Sequence, residues 1–147
     1  MSEEVFDLER AERLLPQVEQ LLSAALEEKK RLSRAGKELA KRIERIIVLG
    51  GCQVDLGEFA HCKRRKEESS ARLRHLAEEI ENLGCLLKDL EIGLVDFPSR
   101  LGDQEVYLCW KLGEPGIRFW HHVEEGFAGR KPLDDRTIQR MQRSCRR

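Results

Sequence analysis

The chain has 147 residues, enough for one domain that buries its own core. Its 27 basic and 27 acidic residues cancel, so no whole-molecule field draws it to nucleic acid or to an anionic membrane, and any such binding has to come from a local patch. Charged residues make up 37% of the chain against about 25% in ordinary domains, and aromatics only 5%, a composition expected of long solvent-washed helices over a thin aliphatic core.

The N-terminal stretch MSEEVFDLER is acidic and lacks the apolar segment of a signal peptide, and no run approaches the roughly 18 apolar residues of a membrane span. A soluble, cytoplasmic protein is predicted. The first helix is predicted to open at Asp7, whose carboxylate can accept from free backbone N–H groups. Leu14, Val18, Leu21, Ala25, Leu32, Ala35, Leu39, Ile43 and Ile46 then recur at steps of three, four or seven, which draws one apolar stripe to about Leu49. Pro16 is expected to kink this helix and Gly36 to weaken it.

Gly50-Gly51 marks the end of that helix. A second stripe follows at Phe59, Cys62, Lys66, Ser69, Leu73, Leu76, Ile80 and Leu83, spaced like the a and d positions of a heptad. Two such helices joined by GGCQVDLG are predicted to pack antiparallel, making residues 7–83 a helical hairpin. Leu15, Leu22, Leu26 and Ile47 lie beside the main seam, and packing hairpin on hairpin in a homo-oligomer would cover them. The basic run Lys63-Arg64-Arg65-Lys66 sits beside Glu67 and Glu68 without interleaved aromatics, so it reads as a solvated face and nucleic acid is not the expected partner.

Residues 84–133 read as a β-rich cap that completes a single domain over 1–133. Cys85 to Lys88 and Leu94 to Phe97 are predicted strands around a turn at Gly93, with Pro98 ending the second. Glu105 to Leu112 alternates, placing Val106, Leu108 and Trp110 on one face and Tyr107, Cys109 and Lys111 on the other. Gly113-Glu114-Pro115-Gly116 is a turn by its chemistry, and Ile117 to Glu125 is compatible with helix or strand. The fold class is therefore α+β: a long antiparallel helical hairpin followed by a small three-stranded antiparallel sheet. Residues 134–147 form a basic tail, read equally as a frayed helix or as disordered.

Five cysteines, at 52, 62, 85, 109 and 145, show no CxxC and no secreted spacing, which fits a reducing compartment. Cys52, His61, Cys62 and Cys85 lack zinc spacing as a set. No Walker loop, GxGxxG, HExxH or GxSxG is present. The cap does bring chemistry together. Cys109, Glu114 and His121 are ligand types that zinc accepts, and three protein ligands plus water would make a catalytic centre. The same residues admit a cysteine nucleophile, with Cys109 activated by His121 and Arg130 stabilising negative charge. Asp96, Tyr107, Trp120 and Arg130 are candidate ligand contacts. Each also has a structural role open to it: cysteine as a core filler, His121 packed on a tryptophan, Glu114 bracing its turn, Arg130 paired with Asp96 or Glu114. Adjacent His121 and His122 point to opposite faces of a strand, so one metal ion cannot easily take both.

The order DFP at Asp96–Pro98, YLCW at Tyr107–Trp110, LGEP at Leu112–Pro115, WH at Trp120–His121 and GFAGR at Gly126–Arg130 resembles the small bacterial family DUF2203, over roughly Phe6 to Leu133. The resemblance implies that these polar positions recur together in relatives and assigns them no role. His122 is variable in the family pattern, which ranks His121 above it. Two functions are carried forward. One is an interaction or scaffold protein that self-associates through the hairpin and binds a partner or small ligand at the cap. The other is a small metal-dependent or cysteine-dependent enzyme using Cys109, Glu114, His121 and Arg130.

Overall fold

The computed structural model describes residues 5–50 and 55–146. Cys52 and half of the expected interhelical turn, residues 51–54, lie outside them. Helix α1 spans Leu8–Val48, 41 residues, or about 60 Å at about 1.5 Å per residue. Asp7 caps it by accepting from the Arg10 backbone N–H at 2.9 Å. The helix runs on through Pro16 and Gly36. Pro16 removes one hydrogen bond from Glu12, and since both residues are exposed the cost falls where water can compensate.

Helix α2, Leu56–Asn82, returns along α1. Three cross-helix ion pairs fix the direction: Arg42–Glu58 at 2.9 Å, Arg65–Glu38 at 2.8 Å and Arg72–Glu28 at 3.0 Å. Partner numbers fall on one helix as they rise on the other, so the hairpin is antiparallel. Cys62, Ser69 and Ile80 form its buried line on α2.

The sheet has five strands rather than three: β1 Leu86–Asp89, β2 Leu94–Leu101, β3 Gln104–Lys111, β4 Phe119–His122 and β5 Lys131–Pro132, paired in that order as an antiparallel meander. The ambiguous segment after Ile117 thus becomes β4. Pro98 does not end β2. Its carbonyl accepts from the Phe6 N–H at 2.7 Å on the side away from β3, so the missing proline N–H would also have faced that side and the β2–β3 ladder loses nothing. Gly93 turns the chain from β1 into β2 with φ +70°, and a Cβ there would lie 2.7 Å from Leu112 Cβ, so the position requires glycine twice over.

One sheet face, with Val95, Phe97, Val106, Leu108, Trp110 and Trp120, packs on Phe6, Ala11, Leu15, Val18 and Leu22 of the N-terminal third. Leu15 and Leu22 are therefore covered within one chain and are not available to an oligomer, contrary to the sequence expectation. The reason is tertiary: the sheet lies over the first half of α1 and supplies the cover that a second hairpin was expected to give. Each large side chain so buried contributes about 1.5–3 kcal/mol. The tail forms α3, Asp135–Cys145, capped by Asp134, with Met141 buried in the same core. Among the described residues no helix is long and apolar enough to cross a membrane.

Candidate functional site

Strand alternation leaves the second sheet face to different residues. Register places Asp96 opposite Cys109, Cys109 opposite Phe119, and Tyr107 opposite His121. Leu86, opposite Asp96, and Lys111, two residues beyond Cys109, complete this face. Asp96, Cys109 and His121, 12 to 25 positions apart in the chain, are thus brought to one spot by a meander of short turns.

At its centre, one ligand-type atom from each of Asp96, Cys109 and His121 lies within 4.8 Å of the other two. The three are 1%, 0% and 3% exposed. Nε2 of His121 is 3.1 Å from both Oδ1 and Oδ2 of Asp96. Nδ1 of His121 lies 2.7 Å from the backbone carbonyl of His122. A carbonyl only accepts, so Nδ1 carries a proton and Nε2 is the atom turned to the cluster.

The Cys109 thiol is pushed up to about 12. Burial is the main cause and the Asp96 charge the next, with Arg130 pulling the other way. The thiol is therefore neutral at physiological pH unless a cation enters. That is the opposite of an activated nucleophile, whose environment must favour thiolate.

Beside this triad stands a second pair. Glu114 Oε2 accepts from Arg130 Nη2 at 2.6 Å, and its Oε1 accepts from the Lys111 backbone N–H at 2.6 Å. Its own carbonyl accepts from the Trp110 indole at 3.1 Å. Glu114 thus braces the turn and orients Arg130, and it is not one of the clustered ligand atoms. The guanidinium of Arg130 lies 3.9 Å from the Phe119 ring centroid and 4.7 Å from that of Phe127. It arrives there because the 3-10 turn Phe127–Gly129 delivers Arg130 directly into β5.

Tyr107 packs edge-on against His121, with centroids 5.5 Å apart, and Lys88 Nζ stands 5.0 Å over the Tyr107 ring. A cavity of about 260 Å³ lined by Leu86, Pro98, Glu105 and Tyr107, among others, opens beside it. Trp120 and His122 fall on the other face. Trp120 belongs to the core, and the His122 ring packs on it at 5.1 Å. Of the sequence candidates, then, Cys109, His121 and Asp96 converge, Arg130 and Glu114 pair next to them, Tyr107 borders them, and Trp120 does not reach them. Phe119, Phe127 and Lys111 also border this face. Only the β3–β4 register could have added Phe119, and that register is not visible in a four-residue strand.

The model of one family, described as an uncharacterized conserved protein (DUF2203), matches residues 4–133 of the chain. Neither the search of curated proteins nor that of solved structures gave a match.

Proposed function

The chain belongs to the DUF2203 family, a membership that assigns no activity, and we propose from its site that it is a transition-metal-binding protein holding zinc through Asp96, Cys109 and His121. One observation carries the reading: the Nδ1–H of His121 is given to a backbone carbonyl, while Nε2 faces a carboxylate and a thiol. A metal-bound histidine characteristically donates its other ring N–H to a carbonyl or carboxylate, which fixes the tautomer and the ring plane.

The charges agree with a dication. Thiolate and carboxylate together neutralise a doubly charged ion, and the imidazole adds a neutral ligand, so a filled site carries no net charge into a buried place. Mixed sulfur, nitrogen and oxygen donors suit zinc. Tetrahedral bonds of about 2.0–2.3 Å put ligand atoms about 3.3–3.8 Å apart, so a cluster within 4.8 Å closes on the ion by small side-chain adjustments. Binding would displace the Cys109 thiol proton, which ties affinity to pH.

Elemental analysis of untagged protein purified without chelator tests this. Near-stoichiometric zinc that is lost in His121→Ala is expected. Wild-type protein that stays metal-free when titrated with zinc, at concentrations that saturate ordinary three-ligand sites, would sink the proposal.

A second reading, self-association, is supported by a different place. Ile43, Ile47 and Val48 on α1, its C-cap Leu49, and Leu56 on α2 are all exposed near the far end of the hairpin. A second copy packed end to end would cover them. Light scattering of wild type and Ile47→Asp decides it: a dimer that the aspartate splits supports the reading, and a wild-type monomer at high concentration ends it.

A further inference from the structure

Arg130 is unusual among the ion-paired arginines of the described residues. Its side chain is 9% exposed, whereas the next most covered, Arg42, is 30% exposed. Such burial strips water from a permanently charged group, and the protein returns only part of what water gave. Nη2 has Glu114 Oε2, two aromatic rings flank the plane, and Nε, itself buried, has no hydrogen-bond partner. An unmet buried guanidinium N–H is expensive enough that it asks for an acceptor. Arg42 Nε is also unmet, but there solvent lies close at hand.

The position of this unmet donor matters more than its existence. The ring under Arg130 is Phe119, which stands directly opposite Cys109 across the β3–β4 ladder. The guanidinium is therefore a cross-strand neighbour of the Asp96–Cys109–His121 cluster. Lys111, on the same face, holds its ammonium 5.7 Å from the Phe127 ring and has no carboxylate within ion-pair distance among the described residues. Glu114 is paired with Arg130 alone, so the Lys111 ammonium leaves these three side chains with one net positive charge. Three protein ligands on a tetrahedral ion leave a fourth position for water or an exogenous ligand. A planar guanidinium held rigidly by Glu114 and two rings suits the paired oxygens of a carboxylate or phosphate.

We propose that Arg130 is the anion-binding arm of this centre: a small oxyanion, carboxylate or phosphate, sets one oxygen at the fourth position of the metal and another on Arg130 Nε–H. This rests on the metal reading above. Phe127, itself exposed, is the outer of the two rings, so the approach from solvent passes it. Lys111 supplies a second positive charge to the approaching anion.

Cobalt(II) in place of zinc separates the two claims. A near-ultraviolet thiolate-to-cobalt band reports Cys109 as a ligand, and the visible bands report the fourth position. Inorganic phosphate and acetate, each titrated into the cobalt protein, are expected to change the visible bands saturably. In Arg130→Gln, and in Arg130→Lys, which keeps a charge but has no planar fork, the anion is expected to bind at least tenfold more weakly. Both variants should retain the anion-free cobalt spectrum, which shows the centre still folded. The stronger of the two anions identifies the ligand class. Visible bands that ignore both anions, or that respond with equal affinity in Arg130→Gln, overturn the anion inference while leaving the metal standing. Absence of the thiolate band in wild type overturns the metal reading instead.

Discussion

Asp96 and His121 sit on strands that never pair, β2 and β4, and they meet across the width of β3 with Nε2 3.1 Å from each carboxylate oxygen. Cys109 on β3 fills the space between them. Side chains so joined either hold each other or turn together to a cation, and this choice governs how the site should respond to substitution.

Asp96→Asn keeps the shape but removes the charge. Zinc affinity is expected to fall at least tenfold, and the metal-free protein to lose about 1–3 kcal/mol through the weakened contact to His121. Competition with a chromophoric chelator reads the first, urea melts the second.

Two of the buried thiols, Cys85 and Cys109, act on the metal-free protein at high pH. Cys85 is pushed up to about 11 by burial, with Glu81 adding to it, and Cys109 up to about 12 by burial and Asp96. Their folded values exceed the unfolded value of 9.0, so the stabilisation is complete below pH 9 and drains away as pH climbs toward 12. The melting temperature of metal-free protein should decline across that window, and less steeply in Cys109→Ala once its lower starting stability is subtracted.

Metal affinity should move the other way. Cys109 must lose its proton to bind, so zinc affinity is expected to rise by about tenfold per pH unit for one released proton at neutral pH. Cys109→Ser should flatten this slope along with weakening binding. A slope of zero in wild type would mean that no proton is displaced.

Glu28 is the buried charge of the hairpin, held by Arg31 at 3.1 Å and Arg72 at 3.0 Å. Burial pushes its carboxyl up, but hydrogen bonds from Arg72 and Ser69 and the charges of Arg72 and Arg31 outweigh it and hold it below the ordinary value. The stabilisation is therefore present above the unfolded value of 4.5 and lost as pH falls through the lower folded one. Glu28→Gln should cost about 1–3 kcal/mol at pH 7, and its melting curve should approach that of wild type in acid.

Met141 fastens α3 to the core from the far end of the chain. Met141→Ala is expected to destabilise by about 2–5 kcal/mol, the cost of a methionine-sized void. Loss below about 0.5 kcal/mol would mean that α3 is dispensable to the fold.

How far these features could be read beforehand depends on their range. The period of α1 and α2 and the alternation of β3 are local, and they gave the hairpin, the core face of Trp110 and the outward face of Cys109. β4 and β5 are four and two residues long, and β5 ends on Pro132, so pairing with a neighbour defines them and no period does. Pro98 was misread because a proline stops a strand only if its nitrogen faces a partner. Asp96 was visible as a candidate, but its place opposite Cys109 depends on the tight turn at Gly102, φ +65°, which sets the β2–β3 register. Glu114 looked like a ligand by residue type; only the geometry gives it to Arg130 and the Lys111 N–H.

The hydrogen bond from Phe6 to the Pro98 carbonyl, and that from Ile117 to the Glu12 carboxylate at 3.1 Å, join the opening turns of α1 to segments synthesised some hundred residues later. On the ribosome, the greasy side of those turns, Ala11, Leu15, Val18 and Leu22, has to wait for most of the chain before it finds its cover. Such high contact order slows folding and prolongs exposure of sticky surface. The oldest part of the nascent chain is then among the last to settle.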